Sequence, residues 1–98
     1  KPTDTIKFSK TSTIENTIDR NNIWLAQTPQ VFDKAKLRKA INNSKISNIK
    51  ATDESFLMEK MGYKINIVEG SATNLKITFK SDWSFAEHLE KNINEYRI

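Results

Sequence analysis

Three short segments of this chain carry polar groups where packing alone does not ask for them. They are Ala26-Gln27-Thr28-Pro29-Gln30-Val31-Phe32, Thr17-Ile18-Asp19-Arg20 and, far downstream, Asn74-Leu75-Lys76-Ile77-Thr78. Lys76 lies between Leu75 and Ile77 in an alternating run, so it points to the face opposite those apolar residues. Its ammonium is either solvated, which is the commoner case, or aimed into a cleft to neutralise phosphate. Arg20 follows Asp19 in a turn. It is either a surface arginine with a weak local ion pair or a guanidinium placed for bidentate phosphate binding. Thr28 is either an ordinary strand-end residue or a hydroxyl donor to a phosphate oxygen. Gln27, Thr28 and Gln30 end an apolar run, and the carboxyl end of a strand is where α/β sheets bind ligands.

Other polar groups have plainer readings. Asp53 and Glu54 are adjacent carboxylates, and a helix start explains both. His88 is the single histidine of a chain without cysteine, so no second such ligand accompanies it in a metal site. Lys34, Lys36, Arg38 and Lys39 form a basic stretch on a helix. A solvated face is the default there, and nucleic-acid contact is disfavoured because no aromatic residues interleave for base stacking. The chain has only 2 glycines, which excludes a Gly-rich phosphate loop. It holds no serine-histidine-carboxylate set and no HExxH motif.

These groups need a scaffold. Residues 3–8 alternate as a strand, Ser9 to Thr13 form a polar break, and residues 14–18 return as a second strand. This hairpin has few apolar residues and is marginal alone. Asp19 to Asn22 have turn chemistry. Residues 23–26 form a short buried strand, and Pro29 pushes Thr28 toward extended geometry. Asp33 caps a helix running to about Asn42, with Leu37, Ala40 and Ile41 on one face. Thr52 caps a second helix with Phe56, Leu57 and Met61 buried, ended by Gly62. Residues 63–68 and 75–79 alternate as strands. Ser81 or Asp82 caps a last helix with Phe85, Leu89, Ile93 and Tyr96 as its stripe. The fold class is α/β, with no repeat and no second domain. So few central strands cannot form a sheet covered on both faces, so the chain is expected to complete a larger sheet.

Length and composition set the outer limits. With 98 residues there is room for one domain at most. Hydrophobic residues make up 37%, below the usual ~45–50%. The absence of cysteine excludes a disulfide framework and a thiolate metal site. No apolar run approaches the ~20 residues of a membrane helix, so no membrane partner is expected. Lys1-Pro2-Thr3-Asp4 lacks the apolar stretch of a signal peptide and an initiator Met, so the natural chain is expected to begin earlier. The net charge of +4, from 16 Lys and Arg against 12 Asp and Glu, mildly favours anionic partners.

Taken together, the segments resemble the 2-C-methyl-D-erythritol 4-phosphate cytidylyltransferase family, in the C-terminal part of its chain. The text that carries the resemblance is DTIK at 4–7, TIDRNNIWLAQTPQVF at 17–32, TDES at 52–55 and VEGSATNLKIT at 68–78, with Ala86-Glu87 in the last helix. The resemblance implies a Rossmann-like nucleotidyltransferase fold with a protruding β-arm hairpin that hooks two subunits into a homodimer. Residues 1–19 match that arm, and residues 20–98 match the C-terminal part of the nucleotidyltransferase domain, together one partial domain. The implied reaction joins CTP and a sugar-alcohol phosphate, methylerythritol phosphate, and releases pyrophosphate. It serves non-mevalonate isoprenoid synthesis in the cytoplasm. Mg²⁺ is implied as cofactor, bound mainly through the CTP phosphates, with no metal site on this chain.

Roles carry over to four positions. Thr5 and Arg20 resemble the residues that reach a methylerythritol phosphate group held mainly by the partner subunit. Thr28 resembles a substrate-contacting threonine. Lys76 resembles the lysine that stabilises charge near the reacting phosphates, so Lys76 and Arg20 are the expected catalytic pair. The family's N-terminal Gly-rich loop and its Asp-Ala-Ala-Arg segment are absent. Phe79-Lys80-Ser81-Asp82 stands where the family has Thr-Pro-Glu-Asp. A chain lacking the CTP-binding half is expected to be inactive alone. Ribitol-5-phosphate cytidylyltransferase shares similar segments and is the nearest alternative, against which Trp24 leans. A non-catalytic dimerisation or nucleic-acid-binding module is the alternative of another class.

Overall fold

The computed structural model describes residues 1–96, with side chains through Glu95. Strands β1 (Ile6–Phe8) and β2 (Asn16–Ile18) pair antiparallel, with Ile6 opposite Ile18, Lys7 opposite Thr17 and Phe8 opposite Asn16. Their polar connection is internally bonded. The Ser9 hydroxyl lies 2.5 Å from the carbonyls of Thr11 and Thr13, and the Glu15 N–H donates to the Phe8 carbonyl at 2.9 Å. Lys7 Nζ donates across the pair to Thr17 Oγ1 at 2.7 Å. A 3-10 turn, Arg20–Asn22, follows, capped by Asp19, whose carboxylate accepts from the Asn21 N–H at 3.0 Å.

Helices α1 (Lys34–Ile46) and α2 (Glu54–Lys60) pack together and hold the core. Ala40, 1% exposed, and Met58, 4% exposed, are its buried apolar residues among those described. Asp33 caps α1 as expected, accepting from the Lys36 N–H at 3.0 Å. The helix continues a full turn beyond the expected end at Asn42. Asn48 closes it in the left-handed region at φ 51, with the Ile49 N–H donating to the Ser44 carbonyl at 2.9 Å. Asparagine tolerates that conformation better than most residues. The cap of α2 is Asp53 rather than Thr52, because the carboxylate accepts from the Phe56 N–H at 3.0 Å. Gly62, at φ 76, ends it in a Schellman arrangement, its N–H reaching Glu59 and the Tyr63 N–H reaching Met58.

Helix α3 (Lys80–Lys91) leads into the single turn α4 (Ile93–Tyr96). Its N-cap position is Phe79, earlier in the chain than a Ser81 or Asp82 cap implies. Asp82 reaches back from the first turn and accepts from the N–H groups of Thr78 and Phe79, at 2.9 and 2.8 Å. Of the expected stripe, Leu89 is half-buried while Phe85 and Ile93 are exposed, and the Tyr96 side chain lies outside the described residues. No helix is long and apolar enough to cross a membrane among the described residues.

The strands expected at 23–26, 63–68 and 75–79 are absent among the described residues. A strand exists through its ladder partners, and these runs make no backbone hydrogen bond to one another. Several of their apolar side chains stand open, Val68 at 90% and Phe79 at 73% exposure. The chain exposes 8818 Å², against about 5,700 Å² for a compact protein of this mass. Its radius of gyration is 17.2 Å, against about 13 Å for a compact domain of this length.

The helix pair is therefore the stability centre. Met58→Ala should lower the unfolding free energy by about 2 kcal/mol, read from urea denaturation by the helical circular-dichroism signal. Ile46→Ala, on a side chain 85% exposed, should stay within about 0.5 kcal/mol of the wild type. Equal losses in the two variants would contradict this account of the core.

Candidate functional site

The four expected site residues fall into two pairs. Thr5 precedes β1 and Arg20 follows β2, so the antiparallel register sets both at the same end of the hairpin. The Arg20 guanidinium donates through Nη1 to the Thr3 carbonyl. The neighbouring Asp19 carboxylate caps the turn, accepting from the Asn21 N–H at 3.0 Å. One guanidinium N–H is thus used locally, and the others remain available to an anion. The first residues are held to the same place, with Pro2 buried and Lys1 Nζ 5.2 Å from the centre of the Trp24 ring.

Thr28 and Lys76 lie in, or next to, two segments that amide side chains join. Asn74 Nδ2 donates to the Thr28 carbonyl at 2.8 Å. Gln27 Nε2 donates in the opposite direction, to the carbonyls of Ser71 at 2.8 Å and Asn74 at 3.1 Å. Lys76 lies two residues beyond Asn74. The turn before Asn74 is bonded within itself, with the Asn74 N–H on the Ser71 carbonyl at 3.1 Å and the Ser71 and Thr73 hydroxyls 2.8 Å apart. Gly70 leaves space for Gln27, since a Cβ there would collide with Gln27 Oε1.

Gln30 fixes the other end of the same run. Its Nε2 donates to Asp53 Oδ2 at 3.1 Å, and its Oε1 accepts from the Ser55 N–H at 3.3 Å. The Thr28–Pro29 peptide, which is cis, sits between these two attachments. The Gln30 hydrogen bond, followed by that of the Phe56 N–H, holds the Asp53 carboxyl below its ordinary range. The N–H groups of Phe79 and Thr78 do the same for Asp82.

The side chains of Thr5, Thr28 and Lys76 are exposed and make no hydrogen bond or ion pair among the described residues. No such bond joins the Thr5–Arg20 pair to the Thr28–Lys76 pair. The arrangement offers cations and hydroxyls, which suit phosphate oxygens. No group of three or more His, Cys, Asp or Glu is placed to hold a metal among the described residues.

The sequence singles out Asn74 with its segment but not Gly70, and it does not show that Asn74 meets the run around Thr28. Periodicity carries no signal for a contact across 46 residues. A glycine next to a polar run was the one available hint.

Residues 2–91 match the family defined as 2-C-methyl-D-erythritol 4-phosphate cytidylyltransferase. The chain belongs to this family. It is 45% identical over 95 residues to the 2-C-methyl-D-erythritol 4-phosphate cytidylyltransferase of Wigglesworthia glossinidia brevipalpis, covering 94% of this chain and 40% of that protein. It is 40% identical over 89 residues to the Bacillus velezensis enzyme of the same name, covering 90% of this chain and 38% of that one. The crystal structure of the Thermus thermophilus cytidylyltransferase superposes with a TM-score of 0.82 at 33% identity, over 92% of this chain and 44% of that chain. The Francisella tularensis cytidylyltransferase gives 0.79 at 37% identity, over 89% and 41%. The described residues therefore share the α/β fold of these cytidylyltransferases. The chain spans about 40% of the length of the curated relatives it matches.

Both carboxyls depressed below their ordinary value, ~3.9 for aspartate, stabilise the fold above that pH. The contribution is lost as pH falls through the lower folded value. Gln30→Ala removes the largest cause acting on Asp53. Its midpoint, followed by the Cγ carbon resonance, should rise toward the ordinary value while that of Asp82 stays put. An unmoved Asp53 midpoint would remove Gln30 from this network.

Proposed function

We propose that this chain is the C-terminal part of a cytidylyltransferase that joins CTP to 2-C-methyl-D-erythritol 4-phosphate in isoprenoid synthesis. In this reading residues 1–19 are a dimerisation arm and residues 20–98 are the C-terminal part of the catalytic domain. Family membership over residues 2–91 supports the activity. The tie of Asn74 to the Thr28 carbonyl supports the site reading, because it joins the segment of Thr28 to the segment that leads into Lys76.

An oxygen of the sugar phosphate attacks the α-phosphorus of CTP. A new P–O bond forms, the bond to the β-phosphate breaks, and pyrophosphate leaves with its electron pair. Such transfer asks the protein mainly for positioning and positive charge. Lys76 offsets the charge that builds up on the reacting phosphates. Thr28 donates its hydroxyl to the acceptor side. Arg20, with the donors its Thr3 bond leaves over, and Thr5 hold the sugar phosphate bound mainly by the partner subunit of a homodimer. Mg²⁺ carried on the CTP phosphates would supply further neutralisation of their charge. The chain alone is inactive, and the enzyme works in the cytoplasm.

The test is pyrophosphate release from CTP and methylerythritol phosphate by the longer enzyme containing this sequence. Lys76→Ala should lower kcat by about 10²–10³-fold. Arg20→Lys should raise KM for the sugar phosphate and leave KM for CTP in place. A Lys76→Ala enzyme as fast as the wild type would remove Lys76 from the mechanism. Faster turnover of ribitol 5-phosphate than methylerythritol phosphate would move the substrate to the related enzyme.

A further inference from the structure

We propose that Gln27, Asn74 and Gly70 form a reciprocal amide latch that sets the position of Lys76 relative to Thr28. The proposal rests on the reading of those two residues as phosphate ligands, and makes the other three positioning residues. Asn74 Nδ2 donates to the Thr28 carbonyl at 2.8 Å, while Gln27 Nε2 spends both its hydrogens on the Ser71 and Asn74 carbonyls, at 2.8 and 3.1 Å. Each side chain thus bonds the main chain of the opposite segment, the pairing a sheet ladder supplies elsewhere. No backbone hydrogen bond joins these two segments. The latch alone fixes their offset.

The geometry transmits to Lys76 over a short lever. Asn74 and Lys76 are only two residues apart, so a shift of Asn74 carries Lys76 with it. The bonded turn at Ser71–Thr73 prevents the loop from absorbing a shift. Gly70 completes the device. Gln27 Oε1 occupies the space a Cβ would take, so a larger residue at position 70 must move the amide that holds its two hydrogen bonds. All three residues are exposed, and a solvated hydrogen bond contributes little to stability. Their effect is on placement, where an error of about 1 Å costs roughly 10²-fold in rate.

Two measurements decide the matter. In the 98-residue chain, Asn74→Asp puts a carboxylate against the Thr28 carbonyl, and Gly70→Ala displaces the Gln27 amide. Each should shift the amide resonances of both segments, which lie 44 to 47 residues apart in sequence. Shifts confined to the neighbours in sequence would overturn the latch. In the longer enzyme, Asn74→Asp, Asn74→Ala and Gly70→Ala should each lower kcat about tenfold or more and raise KM for the sugar phosphate. KM for CTP and the melting temperature should hold, which a purely structural defect would not give. Wild-type kinetics in all three variants would overturn the proposal. A wild-type enzyme without cytidylyl transfer would overturn the activity reading instead, and the resonance shifts would then decide the latch.

Discussion

Three amide side chains hold the candidate site in the place of a sheet. Gln27 and Asn74 bond the run around Thr28 to the turn before Lys76, and Gln30 bonds the same run to the start of α2. The main packing between elements among the described residues is that of the hairpin with itself, α1 with α2, and α3 with α4. Each such hydrogen bond is worth only about 1 kcal/mol net. Their importance lies in what they connect, since residues 26–30 are the point where three parts of the chain meet.

The remaining structure divides into a helical support and a hairpin. The α1–α2 pair supplies the buried core, and Asp53 links it to Gln30 through one carboxylate that caps α2 as well. The hairpin has almost no apolar packing of its own, and polar bonds within its connection keep it formed. Its register still does something specific, setting Thr5 and Arg20 at one end, where Arg20 grips the Thr3 carbonyl. Large exposed side chains at Val31, Val68 and Phe79 leave the extended runs open to further packing.

Local chemistry was legible in the sequence, and long-range chemistry was not. Asp33 and Gly62 announced a helix start and a helix end because caps act within a few residues. The last turn of α1 was hidden because Asn48, a less frequent left-handed residue than glycine, closes it. Phe79 was unreadable as a cap position because its side chain has no acceptor, and Asp82 supplies the bonds from inside the helix. Alternation at 63–68 and 75–79 suggested strands, but a strand also needs a neighbour, which periodicity does not report. Thr28 and Lys76 stood out as polar groups in unexpected places. Their connection through Asn74 was invisible because no local pattern encodes a contact between residues 28 and 74.

The central claim is that this chain presents the sugar-phosphate side of a cytidylyl-transfer site. The most direct measurement is a titration of the 98-residue chain with methylerythritol phosphate and, separately, with CTP, followed residue by residue by NMR. The account predicts that the sugar phosphate moves the resonances of Thr28 and Lys76, and that CTP at the same concentration moves them far less. The opposite order, or shifts from the sugar phosphate confined to the basic stretch of α1, would contradict it.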